Sequence, residues 1–301
     1  MHAIPLKSAT RPGTPPPPFH RPRVALVLGS GGVRSAAAIG VAEELALAGL
    51  APDVVVGCSS GALFGATIAM GMRPADALSA AVRMWRPELT GQRRQRAWLQ
   101  LACPKLAGFD EGFGLRDDSL IARAVERAFG AVRFEDLPLR LRVAATDAAT
   151  GAGVVLEQGS VTQAVRASMA LPLIFPAVPV DGRLLMDGAI ADPLPVAAAA
   201  DADVVIALSF PGDMPRRVDR ASRLVARVST ALINNLMQAR LEAARAAGQQ
   251  VVLIELALQQ RVGLWETEAL PLVYEAGRQA TRLRLQQIRA LVQAAAGRQA
   301  A

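Results

Sequence analysis

Gly57-Cys58-Ser59-Ser60-Gly61 spells G-x-S-x-G. A strand that enters such a turn and leaves it as a helix lifts the central hydroxyl clear of the sheet. Side chains at the two glycines would clash with that strand and helix, which makes Gly57 and Gly61 the structural part of the elbow. The start of the following helix then lies under the Ser59 Oγ, where its positive end favours a developing anion. The histidines are His2 and His20, both in a proline-rich leader ahead of the first strand. A Ser-His-Asp triad is therefore excluded as the working reading, and an aspartate is the natural proton acceptor for Ser59.

A second glycine cluster, Gly29-Ser30-Gly31-Gly32-Val33-Arg34, also falls between a strand and a helix. It fails as a dinucleotide fingerprint because Arg34 occupies the third glycine position. It fails as a phosphate P-loop because Gly-Lys-Ser/Thr is missing. Two readings remain open: an oxyanion hole made of successive amides, or an ordinary tight turn. Aspartates that could serve Ser59 include Asp187, in Met186-Asp187-Gly188-Ala189, and also Asp110, Asp147, Asp181 and Asp192. Spacing alone does not choose among them.

The 301 residues are 52% hydrophobic and 4% aromatic, so the core is built from Ala, Val, Leu and Ile. The net charge of +7 comes almost wholly from arginine, Lys7 and Lys105 being the lysines. Arginine suits phosphate and carboxylate partners. Peripheral contact with an anionic membrane is one reading of this balance; coding bias and solubility are the other. Arg216, Arg217, Arg220, Arg223 and Arg227 recur at helical spacing with Leu224 and Val225 between them, and they carry the same pair of readings, an interfacial face or a solvated one. The charge forms no stripe interleaved with aromatics, which argues against nucleic acid. Cys58 and Cys103 give no disulfide framework, and no apolar secretory segment is visible, so a cytoplasmic, reducing setting is expected. Val54 to Met72 is uncharged and long enough to span a bilayer, but its glycines and serines read as strand, turn and buried helix. No pattern in the chain specifies an oligomeric state.

The elements that must position these residues alternate. Strands are expected at 23–28, 54–56, 141–146, 153–158, 204–209 and 251–256, with a hairpin over 178–186 tipped by Asp181-Gly182. Helices are expected at 36–48, 62–70, 74–85, 118–129, 162–170, 220–248 and 266–295. Residues 86–118 read as a lid, a mobile loop or a short helical excursion. This alternation implies an α/β protein of three α/β/α layers with a mostly parallel central sheet and a helical C-terminal part. The expected organisation is a disordered leader over 1–22, a catalytic core over 23–212, and a mainly helical continuation of the same domain over 213–301.

Taken together, the three sites resemble the bacterial branch of the patatin-like phospholipases, which carry a glycine-rich loop, a G-x-S-x-G elbow and a D-G-G/A motif in this order. The likeness extends to Ala145-Thr146-Asp147 through Gly151, Ala167-Ser168 through Pro176, and Pro193-Leu194-Pro195, covering about residues 23 to 210. It implies a patatin-like fold, Ser59 as nucleophile, Asp187 as base, and the loop at Gly31, Gly32, Val33 and Arg34 as oxyanion hole, with no cofactor and no metal. It further implies a serine lipid acyl hydrolase working through an acyl-enzyme on a lipid or acyl-ester substrate. The alternatives are an esterase or thioesterase on smaller acyl groups, or a weakly active lipid-binding or regulatory member. Ser30 and Ser35 stand where the family has glycine and motivate the last of these; Asp192 stands where many relatives have asparagine.

Overall fold

The computed structural model describes residues 21–84, 94–110, 112–215, 217–256, 258, 262–263 and 266–300. Most of the proline-rich leader, Trp85 and 86–93 of the expected helix end and irregular segment, and Arg216 lie outside the described residues. The described residues form one eight-stranded sheet: β1 (Val24–Leu28), β2 (Val54–Cys58), β3 (Arg140–Asp147), β4 (Gly153–Leu156), β5 (Val178–Val180), β6 (Arg183–Asp187), β7 (Val204–Ser209) and β8 (Val251–Glu255). Strands β3, β2, β1, β7 and β8 run parallel, in that order across the sheet. Strands β4, β5 and β6 add an antiparallel margin. The central strands read as continuous apolar runs because both faces are covered.

Alternate residues along these strands feed two cores. Leu26, Leu28, Val55, Ile206 and Leu208 face α1 (Ala37–Leu47), α2 (Ser60–Ala69), α3 (Pro74–Met84) and others of that layer. Ala25, Val27, Val56, Val205 and Ala207 face the opposite layer, built from a short 3-10 turn at Val196–Ala199 and a long helix further on. The chain between contributes α4 (Gln95–Ala102), α5 (Pro104–Ala107), α6 (Ser119–Phe129) and α7 (Val161–Ser168). Within 86–118, the described residues thus bear out the helical-excursion reading. After β7 come α8 (Ala221–Ala246) and α9 (Leu270–Ala300). The uncharged stretch Val54 to Met72 resolves into β2, the elbow and α2, and no helix among the described residues is long and apolar enough to cross a membrane.

Helix α9 crosses α1 almost backbone to backbone. A side chain on Gly40 would meet the Tyr274 carbonyl oxygen at 2.2 Å, and one on Gly277 would meet the Ala37 carbonyl oxygen at 2.2 Å. Around this crossing Arg278 and Arg282 both donate to the buried Glu44, at 2.8 and 2.6 Å, and Tyr274 donates to Glu43.

The pairing of β3 decides where the site forms. Ala144 pairs with Cys58 of β2 on one edge and Val155 of β4 on the other; Ala145 pairs with Asp187 of β6 and Val154 of β4. Strands β2 and β6 therefore share one edge of β3, with β6 taking over where β2 stops. One is parallel and the other antiparallel to β3, so their C-terminal ends point at each other.

Gly40→Val overpacks the α1–α9 crossing. The expected loss is about 3 kcal/mol, read as a fall in Tm of roughly 6 °C or more in a thermal melt.

Candidate active site

Ser59 occupies the turn after β2 with φ 55 and ψ −125, a backbone conformation that non-glycine residues seldom adopt. The turn is tight because its glycines admit neighbours: a Cβ on Gly61 would lie 2.4 Å from the Leu28 carbonyl oxygen, and one on Gly57 would lie 2.5 Å from Ala62 Cα. Strain of this kind costs on the order of 1–3 kcal/mol and persists only where surroundings enforce it. Here the Ser59 amide donates to Ser168 Oγ at 2.7 Å, and Ser168 Oγ donates to the Ala144 carbonyl at 2.6 Å.

Asp187, the last residue of β6, is completely buried, and its Oδ2 accepts from Ser59 Oγ at 2.7 Å. Its Oδ1 accepts from the Ala189 amide at 2.8 Å. Its backbone is held on both sides: the Asp187 amide donates to the Ala170 carbonyl, and Thr146 Oγ1 donates to the Asp187 carbonyl at 2.9 Å. Burial pushes the carboxyl up to about 6, against the opposing pull of the Ala189 amide and then the Ser59 hydroxyl.

The other aspartates are engaged elsewhere. Asp110 and Asp147 cap their own turns, accepting from Gly112 and from Ala149 and Thr150. Asp181, with φ 47, forms the hairpin tip with Gly182. Asp192 faces Arg240 at 3.9 Å. Cys58 packs with Ala144 and Ala189, and burial raises its thiol well above the usual range, so it behaves as a small apolar residue.

The glycine loop lies beside Ser59. The Ser30 amide donates to the Pro193 carbonyl and the Gly29 amide to the Leu208 carbonyl, both at 3.0 Å. Arg34 donates to the carbonyls of Pro211 and Phe210 at 2.9 and 3.3 Å and so ties the loop to the segment after β7. Gly31 departs from the expected role. Its amide donates to Ser60 Oγ at 3.1 Å; Ser60 Oγ and Ser35 Oγ lie 2.8 Å apart, and Ser35 Oγ donates to Gly29 O at 3.4 Å. This buried hydroxyl chain anchors the loop to the first turn of α2. Gly32, with φ 62, and Val33 open a 3-10 turn, and their amides precede its first internal bond.

Ser59 and the loop open into a cleft of about 210 Å3 walled by Met84, Ile121, Met169, Phe175, Phe210 and Ile233. Its polar lining includes two bonded groups beyond the loop and the elbow. Arg166 donates to Asp118 at 3.1 Å, and Asn234 clasps the Gly212 backbone at 2.8 and 2.9 Å. No three His, Cys, Asp or Glu side chains among the described residues are grouped so as to hold a metal ion. Sequence reasoning overlooked Ser35, Ser60, Ser168 and Asn234 as site-building residues. The position of Ser60 inside the elbow, of Ser35 beside the glycines and of Ser168 in the family-like segment hinted at a role.

A serine on a strained turn after a parallel strand is thus bonded to a buried aspartate beside a glycine loop. Residues 26–200 match the model of the patatin-like phospholipase family, and the chain belongs to that family. It is 39% identical over 193 residues to an uncharacterized NTE family protein of Mycobacterium tuberculosis, covering 64% of this chain and 50% of the relative. It is 34% identical over 189 residues to patatin-like phospholipase domain-containing protein 7 of Rattus norvegicus, covering 62% of this chain and 13% of that protein. The chain thus spans about half the length of the bacterial relative and a small part of the mammalian one. The crystal structure of VipD from Legionella pneumophila shares the fold, with a TM-score of 0.51 at 14% identity over 89% of this chain and 67% of that one.

Two variants test this geometry. Asp187 has a higher pKa folded than unfolded, so its contribution to stability is fully present below pH about 4 and is lost as pH rises through about 6. Asp187→Asn removes the charge; its Oδ1 can still accept from the Ala189 amide, while its Nδ2 would donate to Ser59 Oγ instead of accepting from it. It is expected to be more stable than wild type by about 3 kcal/mol near pH 8 and no more stable near pH 4, as read by calorimetry at the two values. Ser168→Ala strips partners from the Ser59 amide and the Ala144 carbonyl and is expected to cost about 2 kcal/mol in denaturant unfolding.

Proposed function

We propose that this protein is a serine lipid acyl hydrolase of the phospholipase A type with a Ser59–Asp187 dyad. The observation that carries the reading is the 2.7 Å hydrogen bond from Ser59 Oγ to the buried Asp187 Oδ2. Asp187 takes the Ser59 proton as Oγ attacks the ester carbonyl carbon. The amides of Gly32 and Val33 receive the oxyanion, each such donor contributing about 3 kcal/mol to the transition state. Collapse of the tetrahedral intermediate expels the alcohol, which takes the proton back from Asp187. Water then attacks the acyl-serine as Asp187 takes its proton, and collapse expels Ser59 Oγ, which takes that proton back as the fatty acid leaves.

An ordinary aspartate is too weak a base for this work at neutral pH. Burial raises Asp187 to about 6, which strengthens the base while leaving it ionised at neutrality. The apolar cleft walls suit an acyl chain, and lipid substrates accord with the family. The cleft volume of about 210 Å3 favours a second reading, an esterase or thioesterase on shorter acyl groups.

A panel of phospholipids and p-nitrophenyl esters of increasing chain length separates the two. Ser59→Ala is expected to lower kcat by ~10³-fold or more with folding intact, and a fluorophosphonate probe is expected to label wild type alone. The kcat/KM of wild type is expected to rise through an apparent pKa of about 6 and level off above it, because the base acts when ionised. A rate undiminished in Ser59→Ala removes the dyad.

A further inference from the structure

Helix α8 has two unlike faces. Thr230, Ile233 and Asn234 line the cleft, and Met237, Leu241 and Ala244 pack toward the sheet. Leu224, Val228 and Leu232 recur every fourth residue on the outward side, 51, 50 and 65% exposed, with Val225 beside them at 59%. Apolar side chains at this spacing normally face a core; here they face outward on a helix whose first half is almost wholly exposed.

The charges around this stripe have one dominant sign. Residues 213–241 carry six arginines against two aspartates, and no acidic residue stands between Asp219 and Glu242. Asp219 pairs with Arg223 at 3.1 Å, and Arg227 donates to the Pro215 carbonyl at 3.4 Å. Arg220 is the extended residue that caps the start of α8, and Arg227 lies in the second turn of the helix.

We infer that the outward face of α8 is the surface by which this protein docks onto an anionic lipid bilayer, Leu224, Val228 and Leu232 entering the interface and Arg220 and Arg227 meeting lipid phosphates. Three observations select this occupant. Apolar residues interspersed with arginine match the two layers of a bilayer surface, hydrocarbon beneath phosphate. A second copy of the chain would bring arginine against arginine. The same helix also walls the cleft, so docking sets the cleft beside the lipid. The inference deepens the hydrolase reading by naming where substrate is met, yet docking itself requires no chemistry at Ser59.

The test is co-sedimentation of the full chain with phosphatidylcholine vesicles, with and without phosphatidylglycerol, repeated with Ser59→Ala. Both proteins are expected to bind the anionic vesicles at least ~10-fold more tightly, an advantage that shrinks as salt rises. Arg220→Ala with Arg227→Ala is expected to lower that affinity roughly 30-fold, the factor for two cationic side chains at about 1 kcal/mol each. Val228→Asp with Leu232→Asp is expected to abolish sedimentation. In both double variants hydrolysis of a soluble short-chain ester and the circular dichroism spectrum are expected to stay at wild-type levels. If wild type hydrolyses nothing yet binds as described, the hydrolase reading fails and the docking surface stands. Equal binding to both vesicle types, wild-type binding by the variants, or a dimer broken by Leu232→Asp without vesicle binding overturns the inference.

Discussion

The C-terminal ends of β2 and β6 point at each other along one edge of β3, and the Ser59–Asp187 contact hangs from that meeting. The two residues are far apart in sequence, yet Cys58 and Asp187 pair with adjacent residues of one strand. Side chains alternate faces along a strand, so a slip of one residue in β6 would carry the carboxylate to the wrong side of the sheet. Thr146 and the Ala170 carbonyl resist that slip from either side of the Asp187 peptide. Gly188 resists it too, since a Cβ there would lie 2.4 Å from the Ala144 carbonyl oxygen.

This arrangement concentrates unfavourable terms in a small volume. Ser59 holds a strained backbone, and Asp187 holds a carboxyl whose ionised form is desolvated. The Ala189 amide and the Ser59 hydroxyl offset the desolvation of the carboxylate only in part. The strained turn and the buried carboxyl are sustained by the parallel strands, whose side chains are buried on both faces, and by the close crossing of α1 and α9 with its Glu44–arginine cluster. Stability spent at a reactive site and regained in the scaffold is the usual exchange between activity and robustness. The raised carboxyl is the plainest instance: the burial that disfavours its charge is also what makes it a stronger base.

Much of the scaffold was legible in the chain. Apolar runs marked the parallel strands, with Gly29 and Gly57 closing the runs of β1 and β2, and Asp181-Gly182 marked the hairpin tip through its tolerance of positive φ. The elbow was legible because its glycines and serine obey local sterics. Asp187 was not selected by its own neighbourhood. Asp147 and Asp110 share its turn-like surroundings, and only strand pairing separates a carboxylate aimed at Ser59 from one that caps a turn. The hydroxyls of Ser35, Ser60 and Ser168 were illegible for a related reason: a buried serine has no periodicity of its own, and its partners lie in distant segments. The Gly31 amide illustrates the outcome. A sequence pattern offers it as a free donor, while the folded chain gives it to Ser60.

The glycine loop follows β1 near the start of the chain, but it is fastened by residues made much later. Leu208 and Pro193 accept its amides, and the carbonyls of Phe210 and Pro211 hold its arginine. Strand β1 itself lies between β2 and β7. During synthesis the elbow therefore emerges from the ribosome long before the segment that shapes the loop beside it. A nascent chain that stops short of β7 presents the serine without a fastened loop, so the order of translation keeps the site incomplete until most of the sheet exists.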